Sequence, residues 1–414
     1  MGILFWGCTL IVVCVIAGVI LYKPYLGIVF VIVAIPFEDS IIFNGIFVYP
    51  LEVILAILFF ACMLRHIMTT ENYFKNSKLV FYYLPFMVCI LLSASKFMEL
   101  PLMVKGVVRW LELIVVCFLT INLITDYKKI RVVLYSMIFT TVIVSICGIV
   151  SYLSGVENVF ETRPGAYVFF DHPNVLAGYV NLIIPVLCGM LVTSVFLWEK
   201  ITLGISTVLS IMIWFLTFSR SAWVSLILTL ILVFFLTNVK KRVAILFATL
   251  FVILSITLLS SNIKDDFLDR LKLHSTRSRA MCHSIGYSMV KDDMILGIGM
   301  GNYPLLIEKF TESRMIVRND LHNLYLQIFV EVGIMGLCAF VFWLVCVVKH
   351  LMSSLKSLEN SRDYGLLVGL IGGVIVYLFN NLANVLTVHG IHLQWGIILG
   401  LAVLLTQFKD IERA

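Results

Sequence analysis

The chain has 414 residues, of which 61% are hydrophobic and 13% are charged, about half the charged share expected of a soluble protein. Its mean hydropathy of +1.05 indicates more apolar surface than the core of one water-soluble domain could bury. The net charge of +6 is too small and too dispersed for a nucleic-acid-binding surface, and the composition also excludes a disordered chain, a fibre and a secreted disulfide scaffold. We therefore expect an all-α, polytopic integral membrane protein.

Thirteen apolar segments have the composition of membrane-spanning helices, which need about 20 residues each. Segment 25–37 is short and could be a half-span ended by Pro36, so we predict twelve or thirteen spans. The chain begins without a basic region or a small-residue cleavage site, which indicates a retained first span and not a cleaved signal. The segments are 3–21, 25–37, 50–67, 79–95, 106–125, 130–153, 172–197, 202–218, 221–237, 243–260, 322–348, 364–386 and 390–407.

The lysines and arginines of the short loops gather on one side of these spans, which the positive-inside rule identifies as the cytoplasm. The opposite, outer side receives the loops 38–49 and 154–171, the turn 219–220, the long loop 261–321 and the short loop 387–389. We expect one membrane domain made of residues 1–260 and 322–414, with the long loop as an external lid or platform that carries site residues.

Four ionisable side chains lie at the predicted outer edge of the bilayer: Arg163, Arg220, Arg279 and His322. Charged groups at this depth are costly, and four of them from distant parts of the chain suit an anionic, membrane-anchored substrate. The alternatives are structural. An arginine at the end of a span can anchor to lipid phosphate, and His322 could be a helix-start residue beside the predicted cap Asp320.

Other charged residues lie within or next to the spans. Glu331 follows His322 by nine residues, which places it on the opposite face of a helix, so we expect it to pair with a neighbouring helix and not to orient His322. Lys105, Arg109 and Glu112 open another span. Arg109 and Glu112 either form a pair within the helix or provide a second phosphate contact.

Neither the acidic pairs nor the histidines of the loops have the number and spacing of a metal site, so we expect no metal and no cofactor. The run LGIGMGNY has alternating glycines, but no strand precedes it, so we interpret it as a tight backbone turn and not as a dinucleotide site. The acidic pairs are Asp265 with Asp266 and Asp292 with Asp293, the histidines are His389 and His392, and the glycines of the turn are Gly297, Gly299 and Gly301.

Four motifs lie between about residues 160 and 345. An arginine and a glycine precede an Asn-x-Leu-Ala stretch, a Thr-x-Ser-Arg turn follows, and a loop arginine precedes a Gly-x-Gly turn. A His-Asn-x-x-Leu sequence then opens a span that has two glycines three residues apart. In these motifs the chain resembles the O-antigen ligase and O-antigen polymerase family of bacterial membrane glycosyltransferases. The matching residues are Arg163, Gly165, Asn174, Leu176, Ala177, Thr217, Ser219, Arg220, Arg279, Gly297, Gly299, His322, Asn323, Leu326, Gly333 and Gly336.

The chain departs from the family pattern around the loop arginine. The tryptophan usual four residues later is His283, and the proline usual before the Gly-x-Gly turn is Met294. Arg277 is therefore a second candidate for the role of Arg279. The first 150 residues match the family only in hydropathy.

The resemblance implies a GT-C-like membrane fold and an inverting, metal-independent transfer of a glycan. The donor would be a glycan on undecaprenyl pyrophosphate, and the acceptor a hydroxyl of a lipid or glycan at the outer face of the bacterial cytoplasmic membrane. Arg220 and Arg279 would neutralise the leaving pyrophosphate, and His322 would take the acceptor proton. The further substrate-binding candidates are Arg163, Asn174, Arg277 and Asn323.

Two other functions stay open from the residues alone. A transporter or flippase of anionic lipids would place its charged groups at the bilayer midplane on broken helices, whereas here they crowd the outer edge. A lipid-linked peptidoglycan polymerase would use similar chemistry. The sequence does not separate a ligase from a polymerase and does not identify the sugar.

Overall fold

The computed structural model describes residues 13–37, 41–43, 46–68, 78–154, 166, 168–170, 172–236, 274–310, 320–359, 361, 363–388 and 390–411. These residues are helical, as predicted, except for connecting segments and one short antiparallel hairpin of strands β1 (Ile41–Phe43) and β2 (Ile46–Val48), which pairs Ile42 with Phe47. The helices are α1 Val13–Tyr22, α2 Tyr25–Ala34, α3 Pro50–Met68, α4 Lys78–Ala94, α5 Leu100–Leu123, α6 Tyr127–Leu153, α7 Pro173–Thr193, α8 Leu197–Leu216, α9 Arg220–Leu236, α10 His274–Val290, α11 Tyr303–Phe310, α12 Leu324–Leu358, α13 Tyr364–Asn380 and α14 Ile391–Ile411.

Apolar helices of membrane-spanning length establish a multi-pass membrane protein. Of the described helices, five are long and apolar enough to cross a bilayer, namely α3, α6, α7, α8 and α12, and six further apolar helices are shorter. The count of twelve or thirteen spans stays a prediction, and its segment 243–260 lies outside the described residues.

The centre of the bundle is the contact between α7 and α13. Glycines let the two backbones approach closely: a Cβ atom on Gly189 would lie 2.6 Å from the carbonyl oxygen of Gly365, and one on Gly369 would lie 2.6 Å from that of Pro185. Small residues at helix crossings are how membrane helices gain packing without a hydrophobic driving force. The contact therefore fixes α7 and α13 as a rigid pair, against which α9 and α14 pack.

Two apolar segments that were predicted as continuous spans are interrupted. Segment 322–348 becomes α12, which continues to Leu358 and is interrupted at Gly333, where φ is 78°. Segment 364–386 is helical only to Asn380, and residues 381–388 continue as an irregular connection. Hydropathy alone does not reveal either break, because both lie in segments that are apolar on average.

The glycine-rich turn of the long loop fills the break in α12. The backbone N–H of Ile298 donates to the Val330 carbonyl at 2.9 Å, and that of Gly299 donates to the Glu331 carbonyl at 3.1 Å. These bonds satisfy carbonyls that the interruption removes from the helical ladder. Gly297, Gly299 and Gly301 all have positive φ, so the prediction of a tight backbone turn is confirmed.

Side chains fasten the same turn to the end of α4. The buried Asn302 amide donates to the carbonyl of Lys96 at 2.9 Å and accepts from the Met98 N–H at 3.0 Å. The Lys96 ammonium contacts the carboxylate of Asp293, which lowers the pKa of Asp293 below its usual value, and donates to the Gly297 carbonyl at 3.0 Å. The glycine-rich turn is thus bound to the end of α4 on both sides, through Asp293 and Gly297 before it and through Asn302 after it.

The loop helices α10 and α11 share a small core of their own with the start of α12. Cys282, Val290, Tyr303, Ile307 and Val330 are fully buried in it. Burial raises the pKa of the Tyr303 hydroxyl. We call residues 274–310 the lid, because they form a folded layer that rests on α12 and on the end of α4.

Gly333→Ala tests whether the break in α12 holds the lid. A Cβ atom at Gly333 would lie 2.2 Å from the Ile295 carbonyl oxygen in a left-handed backbone, so we expect a loss of about 2 kcal/mol or more in the free energy of unfolding. Gly204→Ala in α8 is the control, because nothing lies within 4 Å of its added Cβ. The measurement is thermal unfolding of the purified proteins, and equal melting temperatures for the two variants would contradict this role of Gly333.

Candidate functional site

His322 stands at the turn that starts α12, and Asp320 holds it there. The backbone N–H of His322 donates to Asp320 Oδ1 at 2.8 Å, and its imidazole Nδ1 lies 3.2 Å from the same oxygen. The expectation that Asp320 caps the helix is wrong. Asn323 is the cap, since its side-chain oxygen accepts from the Leu326 N–H at 3.0 Å, and this leaves Asp320 to orient the histidine.

The irregular segment after α13 joins the His322 turn to the start of α9. The N–H of Leu324 donates to the carbonyls of Asn381 and Asn384, and the Asn384 side chain donates to Ser221 Oγ at 2.8 Å. Asn384 is 3% exposed, so this bridge is buried. Arg220 precedes Ser221 as the first residue of α9, and the bridge therefore brings the Arg220 and His322 turns together.

The lid reaches the same turn through α10. His283 Nε2 lies 3.0 Å from the carbonyl oxygen of Leu321, the residue before His322. Arg279 precedes His283 by four residues on this helix, which places the two on one face. His283, at the position where the resemblance implies a tryptophan, thus docks the helix face of Arg279 on the His322 turn.

The loop before α7 lies beside the Arg220 turn. The N–H of Ala166 donates to the carbonyl of Leu216, at the end of α8, at 2.9 Å. Asn174 lies in the first turn of α7, where its backbone N–H donates to Nδ1 of the cap His172 at 3.0 Å. Arg163 lies outside the described residues.

The two remaining predicted residues are placed differently. Asn323 uses its side-chain amide to donate to the Leu382 carbonyl at 3.0 Å, in addition to its cap, so both of its polar groups serve to hold the turn. Arg277 belongs to α10, and its side chain lies outside the part of the chain that the structure describes.

Backbone strain occurs at each of the three turns that meet here. Among the described residues, the non-glycine residues with positive φ are Phe169, Phe218 and His322, at 61°, 51° and 51°. Each such residue costs of order 1–3 kcal/mol, and strain of this kind clusters at functional sites. The three lie before α7, between α8 and α9, and before α12.

A cavity of about 440 Å³ opens beside the His322 turn, between α5, α12, α14 and the lid. Asp320 forms part of its wall. Glu331 also lines it, and its carboxyl group lies next to the Gln327 side chain and to backbone N–H groups of Gly301 and Tyr303 of the lid. Glu331 therefore faces the lid and α5 and not His322, in agreement with its predicted helix face.

The partner of Glu112 differs from the prediction of a pair with Arg109 within α5. In the described residues Glu112 pairs with His392 of α14 at 3.3 Å, and not with Arg109. Lys105 donates to the hydroxyl of Tyr49 at 2.9 Å. All of these side chains line the cavity, so they belong to one charged chamber within the bundle.

Fold and site together define a multi-pass helical membrane protein with a histidine–carboxylate pair, two arginine-bearing elements and a charged cavity at one end of the bundle. Residues 205–341, about a third of the chain, match the family model Wzy_C, O-Antigen ligase. This match confirms the resemblance to the O-antigen ligase and polymerase family, and it supports glycan transfer of that general type between a lipid-linked donor and an acceptor. No curated protein matches the chain.

The matched range includes most of the site. It begins in α8 and ends in α12, so it contains the Arg220 turn, the lid and the His322 turn. The residues that sequence reasoning missed are Asn381 and Asn384, which lie beyond it. Their signal was the cluster of asparagines in the apolar run FNNLANVLTV, which is unusual for a continuous membrane span.

Proposed function

We propose that the protein transfers a glycan from an undecaprenyl-pyrophosphate carrier to an acceptor hydroxyl, as an O-antigen ligase or a surface-polysaccharide polymerase. The observation that carries this proposal is the pair of His322 and Asp320, because a base oriented by a carboxylate is what deprotonation of a hydroxyl requires. The pair lies at a turn that an arginine-bearing helix approaches from either side.

The geometry favours one assignment of the imidazole nitrogens. With Nδ1–H donated to Asp320, Nε2 is the basic nitrogen and takes the proton of the acceptor hydroxyl. The hydroxyl oxygen attacks the anomeric carbon of the donor as the bond from that carbon to the pyrophosphate oxygen breaks. The configuration inverts, and the pyrophosphate leaves on its lipid with both electrons of the broken bond.

Arg220 and Arg279 stabilise the charge that develops on the leaving pyrophosphate. A guanidinium binds phosphate oxygens with two parallel hydrogen bonds, and it does so without a metal ion. The two arginines lie on separate elements, α9 and the lid helix α10, so a pyrophosphate at the His322 turn would be approached from two directions. A site of this kind belongs at the outer face of the bacterial cytoplasmic membrane, where Arg163 would add a contact to the donor.

Complementation of a deletion strain tests the function. The parent gene should restore the surface glycan, and His322→Gln should lower transfer by roughly 100-fold to 10,000-fold, because the amide keeps a hydrogen bond but cannot accept the proton. Retained long lipid-linked chains without attachment indicate a ligase, and single repeat units indicate a polymerase. Loss of the surface glycan with lipid-linked repeat units accumulating on the inner leaflet would indicate a flippase instead, and a glycan profile unchanged by deletion would contradict the proposal.

Cysteine labelling tests the outward orientation of the lid. Ser284 is exposed on α10, and Ser353 is exposed near the other end of α12. In a background without the native cysteines, an impermeant thiol reagent should label Ser284→Cys in intact cells and should label Ser353→Cys only after the cells are opened. The reverse pattern in folded protein would place the site on the cytoplasmic side and contradict the proposal.

A further inference from the structure

The charged cavity beside His322 has the size of a ligand site. Its volume of about 440 Å³ lies within the range of about 300–1,000 Å³ that is common for small-molecule pockets. The proposed transfer chemistry uses only Asp320 of its wall. Its remaining polar groups take no part in that chemistry.

These polar groups are buried and converge on the cavity. Gln327, Glu331 and Glu112 are each 9% exposed or less. His392 also lines the cavity and is 4% exposed, and its Nδ1 has no hydrogen-bond partner among the described residues. A few buried polar side chains that line an otherwise apolar cavity are characteristic of a small-molecule site.

The balance of charge on the wall selects the kind of ligand. Four carboxylates line the cavity, from Glu52, Glu112, Asp320 and Glu331, against two cations, from Lys105 and Arg109. Acidic side chains outnumber cations on the wall, which disfavours entry of a phosphate or of a second carboxylate. They accept hydrogen bonds from hydroxyl groups, and the guanidinium and amide groups donate to hydroxyl oxygens.

We propose that this cavity is the subsite for an uncharged sugar unit of the acceptor, which rests on the proposed transfer function. Asp320 belongs both to the cavity wall and to the His322 pair. A sugar seated in the cavity would therefore lie against the carboxylate that orients the His322 imidazole. The pyrophosphate of the donor stays outside, at Arg220 and Arg279. The second phosphate contact considered for Arg109 is thereby replaced by a sugar contact.

The lid roofs this subsite. Met300, Gly301 and Pro304 form part of the cavity wall. The hydrogen bonds of the Asn302 side chain with Lys96 and Met98 fix this segment to the end of α4. The N–H groups of Gly301 and Tyr303 that hold the Glu331 carboxylate come from the same segment. The docked lid thus sets the orientation of the carboxylate that meets the sugar.

Saturation-transfer NMR on the full chain in nanodiscs tests the subsite without an activity assay. The probes are methyl β-glucoside, methyl N-acetyl-β-glucosaminide and methyl β-glucuronide. We expect at least one of the two uncharged glycosides to bind, and the glucuronide to bind about tenfold or more weakly. Val388→Trp, which places an indole in the cavity, should abolish the signal. Val108→Trp, in a shallow apolar groove elsewhere on α5, should keep it.

Glu331→Gln should weaken binding of the uncharged glycoside about tenfold and reduce the discrimination against the glucuronide, because it removes a charge from the wall. Equal binding to the parent and to Val388→Trp, preference for the glucuronide, or binding of none of the three would overturn the subsite. Restored glycan transfer together with any of these results would refute the subsite alone. Sugar binding as expected, without any transfer, would refute the proposed function and leave a sugar-binding cavity.

Discussion

The interruption of α12 at Gly333 is the constraint on which the rest of the site depends. A membrane helix that breaks must find new donors for its freed carbonyls, since lipid offers none. Here the lid donates the N–H groups of Ile298 and Gly299, and the Ser93 hydroxyl is a second donor to the Glu331 carbonyl, so the lid cannot leave without exposing the Val330 carbonyl. The same contact roofs the cavity and sets α10 against Leu321. One local defect in a helix thus positions the lid, the His322 turn and the cavity together.

Under the proposed function, the donor pyrophosphate and the acceptor sugar bind in two different electrostatic environments. Glycan transfer from a lipid pyrophosphate needs fixed positive charge for the leaving group and hydroxyl recognition for the acceptor, and these demands conflict in a single pocket. Arg220 and Arg279 lie on elements outside the cavity, whereas carboxylates dominate within it. Asp320 stands at the boundary, where it orients His322. Under the proposed function, this arrangement would let charge repulsion keep each substrate in its own compartment.

Sequence reasoning found the pieces of the site but not their contacts. The polar residues of the outer edge and the glycine-rich turn were predicted because composition and turn chemistry are local. The partnership of that turn with Gly333 was not, since it joins segments more than thirty residues apart. The role of Asn384 was not predicted, because it lies in an apolar segment whose hydropathy indicates one continuous span. The Arg109–Glu112 pair was the simplest local choice for Glu112, and it was replaced by His392, which is 280 residues away in the chain.

The most direct test of this division is the binding of undecaprenyl pyrophosphate, with no glycan attached, to the purified protein. Arg220→Lys and Arg279→Lys should each weaken binding about tenfold or more, because a point-like ammonium cannot reproduce a bidentate guanidinium. Arg109→Lys, the same exchange within the cavity, should leave the dissociation constant within about twofold of the parent. Strong weakening by Arg109→Lys with no effect of the other two would place the pyrophosphate in the cavity and contradict the account.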